Sequence, residues 1–220
     1  MTRAFNCAAA LVAFGAFLYL GAYVTTYGEP ARLLPIEDAL RGKSQLVAWW
    51  FTWLGYAYIL APLMIATLIV GFVKREWLVR TIVPIVVTVV AWQLADFCQR
   101  HFRRLRPPTW YVKHETAFSF PSSHAAIAVA FYLLWAVILW RSDLPQRTRN
   151  IVALTGVFLA AGILWSRLAL GAHYITDVTG GALLSAGVVC LALGLLAAFG
   201  ISLWPHGARP LKVRTEAELP

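Results

Sequence analysis

QRHFRRLRP (residues 99–107), FPSSH (120–124) and SRLALGAHYITD (166–177) are three polar islands in a chain whose remaining long stretches are apolar. Ionisable groups at membrane depth or at its edge are costly, so such islands mark a functional site before they mark anything else. Arginines offer planar forks that match phosphate oxygens. A histidine followed four residues later by an aspartate can be a nucleophile or base held by its orienter. Together they point to phosphoryl-transfer chemistry at a membrane surface.

The bulk numbers set the frame for this reading. Of 220 residues 60% are hydrophobic and 13% charged, with a mean hydropathy of +0.68. Soluble domains carry about 25% charged residues, so the composition is that of a membrane protein. The length fits one domain over residues 1–220, with a motif core at 99–177 and a polar tail at 205–220. The net charge of +9 does not imply nucleic acid, because the basic residues lie between apolar spans. Retention at the membrane and contact with anionic headgroups explain them better. Cys7, Cys98 and Cys190 are odd in number and lack metal-ligand spacing, which predicts neither a disulfide framework nor a metal site, and no cofactor is implied.

The apolar runs predict an all-α bundle of six transmembrane helices, at residues 5–26, 46–73, 81–97, 123–140, 151–170 and 178–203. Residues 33–40 read as a short interfacial helix. The first run has the charged start of a signal peptide, but at about 20 residues it suits an uncleaved anchor. The aromatics from Trp49 to Tyr58 read as an interfacial belt. Pro84 is placed in the first turn of the third span, where its missing N–H is not needed. Asp96 reads as a helix-end charge or a partner for an arginine. Six crossings put both termini on one side, with 10 of the 19 basic residues. Setting aside the five from Arg100 to Lys113 as functional leaves 4 opposite, which predicts cytoplasmic termini and an outward-facing site.

Each island has a plain reading as well as a chemical one. His173 and Asp177 share a face if that stretch is helical, and the aspartate would fix the imidazole tautomer. A histidine at the rim satisfied by a nearby carboxylate is the plainer account. Ser122 or Ser123 is a good N-cap for the apolar helix that follows, and the free N–H groups there can hold a phosphate. His124 would then be placed to protonate a departing oxygen. Capping alone explains the serines without needing the histidine. Arg100 and Arg106 are phosphate-contact candidates, whereas Arg103 and Arg104 read better as a solvated basic loop.

The conjunction of Arg106-Pro107, Pro121-Ser122-Ser123-His124 and Ser166-Arg167…His173…Asp177, in that order between spans, resembles the type 2 phosphatidic acid phosphatase (PAP2) superfamily. The resemblance implies that His173 attacks phosphorus, Asp177 orients it and His124 protonates the leaving group. It implies that Arg106, Arg167 and Ser122 hold the phosphoryl oxygens, with Ser123 and Arg100 as further candidates, and that no metal is required. Two departures stand out. Gln99 occupies the place of the family's lysine, and Ser123 the place of its usual glycine. Some members acting on undecaprenyl diphosphate lack that lysine too, so the expected reaction is undecaprenyl diphosphate hydrolysis in a bacterial inner membrane. Phosphatidylglycerol phosphate, phosphatidic acid and lipid A 1-phosphate are the alternative substrates. A phosphotransferase and a non-catalytic lipid-phosphate binder or transporter are the alternative activities. A haloperoxidase is disfavoured, since it would be soluble with a full lysine motif. The partners are thus a lipid phosphate and the bilayer, with no nucleic acid, and no feature of the chain specifies an oligomeric state.

Overall fold

The computed structural model describes residues 3–108, 111 and 118–204. Among these residues the secondary structure is helical, without strands: α1 (Arg3–Tyr27), α2 (Leu34–Leu40), α3 (Gln45–Trp53), α4 (Ala57–Val73), α5 (Leu78–Phe102), α6 (Ser123–Ile127), α7 (Leu134–Trp140), α8 (Gln146–Ala169) and α9 (Ile175–Ala198). A π-helical stretch, Ala128–Leu133, joins α6 to α7 into one span, Ser123–Trp140. Among the described residues, five helical segments are long and apolar enough to cross a membrane, and α3 with α4, bent by 46°, brings the number to six where the pair counts as one broken span. The expected second span is therefore not one straight helix.

The break has a local cause and a local remedy. Gly55 lies at its centre, and the chain there turns through hydrogen bonds from Leu54 to Phe51 and from Gly55 to Thr52. A backbone carbonyl freed inside a bilayer must find another donor. The Tyr132 hydroxyl supplies it, donating to the Leu54 carbonyl at 2.8 Å. Pro84 also departs from expectation, because α5 starts at Leu78 and places the proline inside the helix. The Thr88 hydroxyl donates to the Pro84 carbonyl at 2.6 Å. The tail from residue 205, expected to fray, lies outside the described residues.

Apolar side chains such as Leu11, Val12, Ile65, Leu154 and Phe158 cover the outside of the bundle. Lipid is as apolar as they are, so helix association must rest on close packing and interhelical hydrogen bonds. α1 packs along α9, and α8 packs against α3 and the π-helical stretch. Interior clusters form around Leu60, Ile127, Phe131 and Ile163, around Val87, Leu134, Ile138 and Val188, and around Phe17, Phe120 and Leu184. Gly181 of α9 permits one needed approach, since a Cβ there would collide with the Ser122 carbonyl. The start of α6 is thereby pressed against the start of α9. The C-terminal ends of α1, α5 and α8 meet those two N-terminal ends at one end of the bundle, where all three polar islands converge.

Candidate active site

His173 stands in the turn between α8 and α9, and Asp177 in the first turn of α9. The turn is made possible by Gly171, whose φ of 66° lies in the left-handed region. The pair therefore does not share one continuous helix, yet His173 Nδ1 lies 3.6 Å from Asp177 Oδ2. Arg106 Nη1 approaches the opposite ring nitrogen, Nε2, at 3.0 Å. A guanidinium can only donate, so Nε2 must present its lone pair and the ring proton must sit on Nδ1. That is the tautomer a nucleophilic histidine needs, with the lone pair of Nε2 facing the Arg106 guanidinium.

Arg106 is itself fixed by the Ala172 carbonyl at 3.0 Å and the Phe118 carbonyl at 3.3 Å. Burial, and then the positive charge of Arg106, hold the His173 imidazole down to about 4, so it stays neutral at physiological pH. Arg167 is fully buried and donates to Thr52 Oγ1 at 2.5 Å. A cation taken out of water this completely is costly unless it is paired and hydrogen-bonded, which is why such groups mark functional sites.

His124 lies in the first turn of α6, buried, with its ring edge-on to Tyr56 at 4.7 Å between centroids. It hydrogen-bonds to the backbone of Thr52, while its Nε2 has no protein partner. The broken second span thus serves the site directly, with Thr52 contacting both Arg167 and His124. A Cβ on Gly55 would collide with the His124 ring.

Ser122 is the N-cap of α6, accepting from the Ala125 N–H at 3.4 Å, and its own N–H donates to the Asp177 carbonyl at 3.0 Å. Gln99 reaches across from α5, donating to the Pro121 carbonyl at 2.8 Å and to Ser123 Oγ at 3.1 Å. Where the family resemblance leads one to expect a cation, an amide ties the loop before α6 to α5.

A cavity of about 510 Å³ opens between α4, α5 and α6. Its polar end holds His124, His173, Arg106, Gln99 and Ser123, and its walls are Leu60, Ala61, Met64, Val89 and Trp92. Arg167 and Ser122, both fully buried, do not line this cavity, and neither does Arg100. It is exposed and pairs with Asp96 one helical turn back at 2.6 Å, consistent with a neighbour of Gln99 pointing about 100° away. Asp96, by contrast, lines the cavity.

Sequence reasoning missed Arg104, which is not a solvated basic residue. It is buried and donates to Asp177 Oδ1 at 2.5 Å, to Thr176 Oγ1 at 2.7 Å and to Glu29 Oε2 at 2.8 Å. It also missed Ser119, whose hydroxyl donates to Asp177 Oδ2, and Glu37, whose carboxyl accepts the Ile175 N–H at 2.6 Å. Among the described residues, no group of three His, Cys, Asp or Glu side chains is arranged to hold a metal ion.

A histidine beside a carboxylate thus faces an arginine at the polar end of an apolar cavity. Comparison with known proteins gives the family. The sequence model of the PAP2 superfamily matches residues 78–201, and the chain belongs to that superfamily. Phosphatidylglycerophosphatase B of Bacillus subtilis (strain 168) is 30% identical over 136 residues, 59% of this chain and 64% of the relative. Phosphatidylglycerophosphatase B of Escherichia coli (strain K12) is 37% identical over 81 residues, 37% of this chain and 30% of the relative. The chain thus matches just under two thirds of the first relative's length and under a third of the second's. The crystal structure of a transmembrane PAP2-type phosphatidylglycerolphosphate phosphatase from Bacillus subtilis superposes with a TM-score of 0.70 at 25% identity. That superposition covers 84% of this chain and 94% of the other. With its apolar helices, this makes the protein an integral membrane protein of the PAP2 fold.

Proposed function

We propose that the protein is a membrane lipid phosphatase working through a phosphohistidine at His173. The observation that carries this is the setting of the His173 ring, with Nε2 facing Arg106 at 3.0 Å and Nδ1 facing Asp177. In the first step Nε2 attacks phosphorus as the bond to the lipid oxygen breaks, while Arg106 and Arg167 stabilise charge on the equatorial oxygens. His124, as imidazolium, gives its proton to the departing oxygen. The incoming phosphate's negative charge favours that protonated form. In the second step water attacks the phosphohistidine, with His124 now taking the proton, and inorganic phosphate leaves. Ser122 and Ser123, at the start of α6, are the remaining phosphate contacts in this reading.

Phosphatidylglycerol phosphate is the substrate we favour, supported by the names of the relatives and by a cavity with one polar end and apolar walls. Undecaprenyl diphosphate is the second candidate, supported by Gln99 standing neutral and occupied in place of a lysine. The protein would lie in a bacterial inner membrane with its termini cytoplasmic and the site facing outward, on the charge distribution described above. Phosphate release by the purified protein, with EDTA present, tests the reading across both lipids, phosphatidic acid and lipid A, with His173→Ala as control. Release that vanishes in the variant supports it, and equal release from the variant ends it. Transfer of the phosphoryl group to a lipid acceptor in place of water would identify a phosphotransferase.

A further inference from the structure

Arg104 does not line the cavity, yet it is 6% exposed and held on every side. Glu29, from the loop after α1, takes Nη2, Thr176 and Asp177 share Nη1, and the guanidinium lies over the Tyr174 ring at 4.4 Å. Glu29 also accepts from the Thr176 hydroxyl and from its N–H at 3.3 Å. Seen from Asp177, this network divides the carboxylate in two. Oδ1 is occupied by Arg104, and Oδ2 receives Ser119, the Tyr174 N–H at 2.9 Å and the His173 side. A carboxylate free to rotate could offer His173 either oxygen or neither.

We propose that the Glu29–Arg104 ion pair is a positioning element of the active site, locking the Asp177 carboxylate so that Oδ2 holds His173 in its Nδ1–H tautomer. Arg104 is a buried cation compensated by two carboxylates, and Glu29 on Nη2 leaves Nη1 to hold Asp177 Oδ1. The loop after α1, remote in sequence from all three motifs, thereby becomes part of the catalytic apparatus. The catalytic half of this inference rests on the phosphatase reading above, whereas the tautomer can be read without any turnover.

The test uses the full chain in detergent, labelled with ¹⁵N-histidine, and the His173 signal is assigned by its loss in His173→Asn. Glu29→Gln/Arg104→Gln is the main variant, because it keeps hydrogen-bonding groups while removing both charges together. Arg104→Lys is the conservative companion, and thermal melting follows each. In the wild type, His173 should be a single Nδ1–H tautomer at pH 7. The tautomer is compared in an Arg106→Ala background, where the guanidinium no longer holds Nε2 as the acceptor. There the double variant should become a tautomer mixture while Arg106→Ala alone keeps Nδ1–H. In the double variant with Arg106 intact, kcat should fall about 10–100-fold with KM little changed, an effect of the size seen when an orienting partner is lost. Arg104→Lys should recover part of both. The same tautomer in Arg106→Ala with and without the double substitution, in folded protein, would overturn the proposal, as would unchanged kcat in an active preparation of the double variant. A wild type that shows the tautomer but releases no phosphate would count against the phosphatase reading alone.

Discussion

Arg106 Nη1 and His173 Nε2 stand 3.0 Å apart, a cation facing the lone pair of the nitrogen it accompanies. A bound phosphate would insert its oxygens beside that guanidinium and present phosphorus to that nitrogen. Arg106→Ala should therefore lower kcat by about 10²–10³-fold, the range for losing one preorganised donor to transition-state charge. Arg106→Lys should recover little, because a point charge cannot reproduce the fork held by the Ala172 and Phe118 carbonyls. Steady-state kinetics on phosphatidylglycerol phosphate check both, and a variant with unchanged kcat would remove Arg106 from the mechanism.

His124 has its Nε2 unpartnered at the cavity wall, where a leaving oxygen would find it. His124→Ala should cost about 10²–10⁴-fold with a lipid alkoxide leaving group. With p-nitrophenyl phosphate, whose leaving group needs no proton, the loss in the first step, read as the rate of the nitrophenolate burst, should shrink to a small factor. Equal first-step losses on both substrates would mean that His124 binds rather than protonates.

Gly55 is needed for the room His124 occupies. Gly55→Ala would force the ring or the bend of the second span to move, an overpacking cost of about 1–3 kcal/mol. We expect kcat to fall by about ten-fold or more, about 1.4 kcal/mol in barrier, with the α-helical circular dichroism retained. Wild-type kcat in this variant would show that the bend does not set the acid's position.

Two buried groups give opposite pH signatures. His173, depressed by burial and Arg106 to about 4, is neutral in the folded protein wherever the pH exceeds that value. Its contribution to stability is whole above its ordinary 6.5 and is lost as pH falls toward 4. Its acid limb in kcat/KM should lie near the same value. Glu37, raised by burial to about 7, behaves conversely. Its contribution is whole below the ordinary 4.5 and is lost as pH rises through 7. Melting curves from pH 4 to 8 should thus carry a decline between about 4.5 and 7 that Glu37→Gln removes. Parallel curves for wild type and variant would contradict this.

Much of this was legible in the sequence because lipid leaves few alternatives. Long apolar runs must be helices, and the islands between them must converge if the spans pack antiparallel. The ends of the spans shifted by a few residues, as with α5, which begins at Leu78 and takes in Pro84. The break at Gly55 was hidden because apolar residues flank it on both sides, and only the Tyr132 hydroxyl, distant in sequence, makes it tolerable. Arg104 was misread for a related reason. Its partners, Glu29, Thr176 and Asp177, come from the loop after α1 and from α9, so no local spacing distinguishes it from Arg103. Arg100, proposed for its closeness to Gln99 in sequence, instead pairs with Asp96 one helical turn back.

The most direct test is to trap the intermediate. Wild-type protein would be mixed with ³²P-labelled phosphatidylglycerol phosphate and quenched in denaturant at alkaline pH, where a phosphorus–nitrogen bond survives. Peptide mapping then locates the label. The account predicts label on the peptide carrying His173, absent from His173→Ala. Phosphate release without any labelled protein, or label on a residue other than His173, would contradict it.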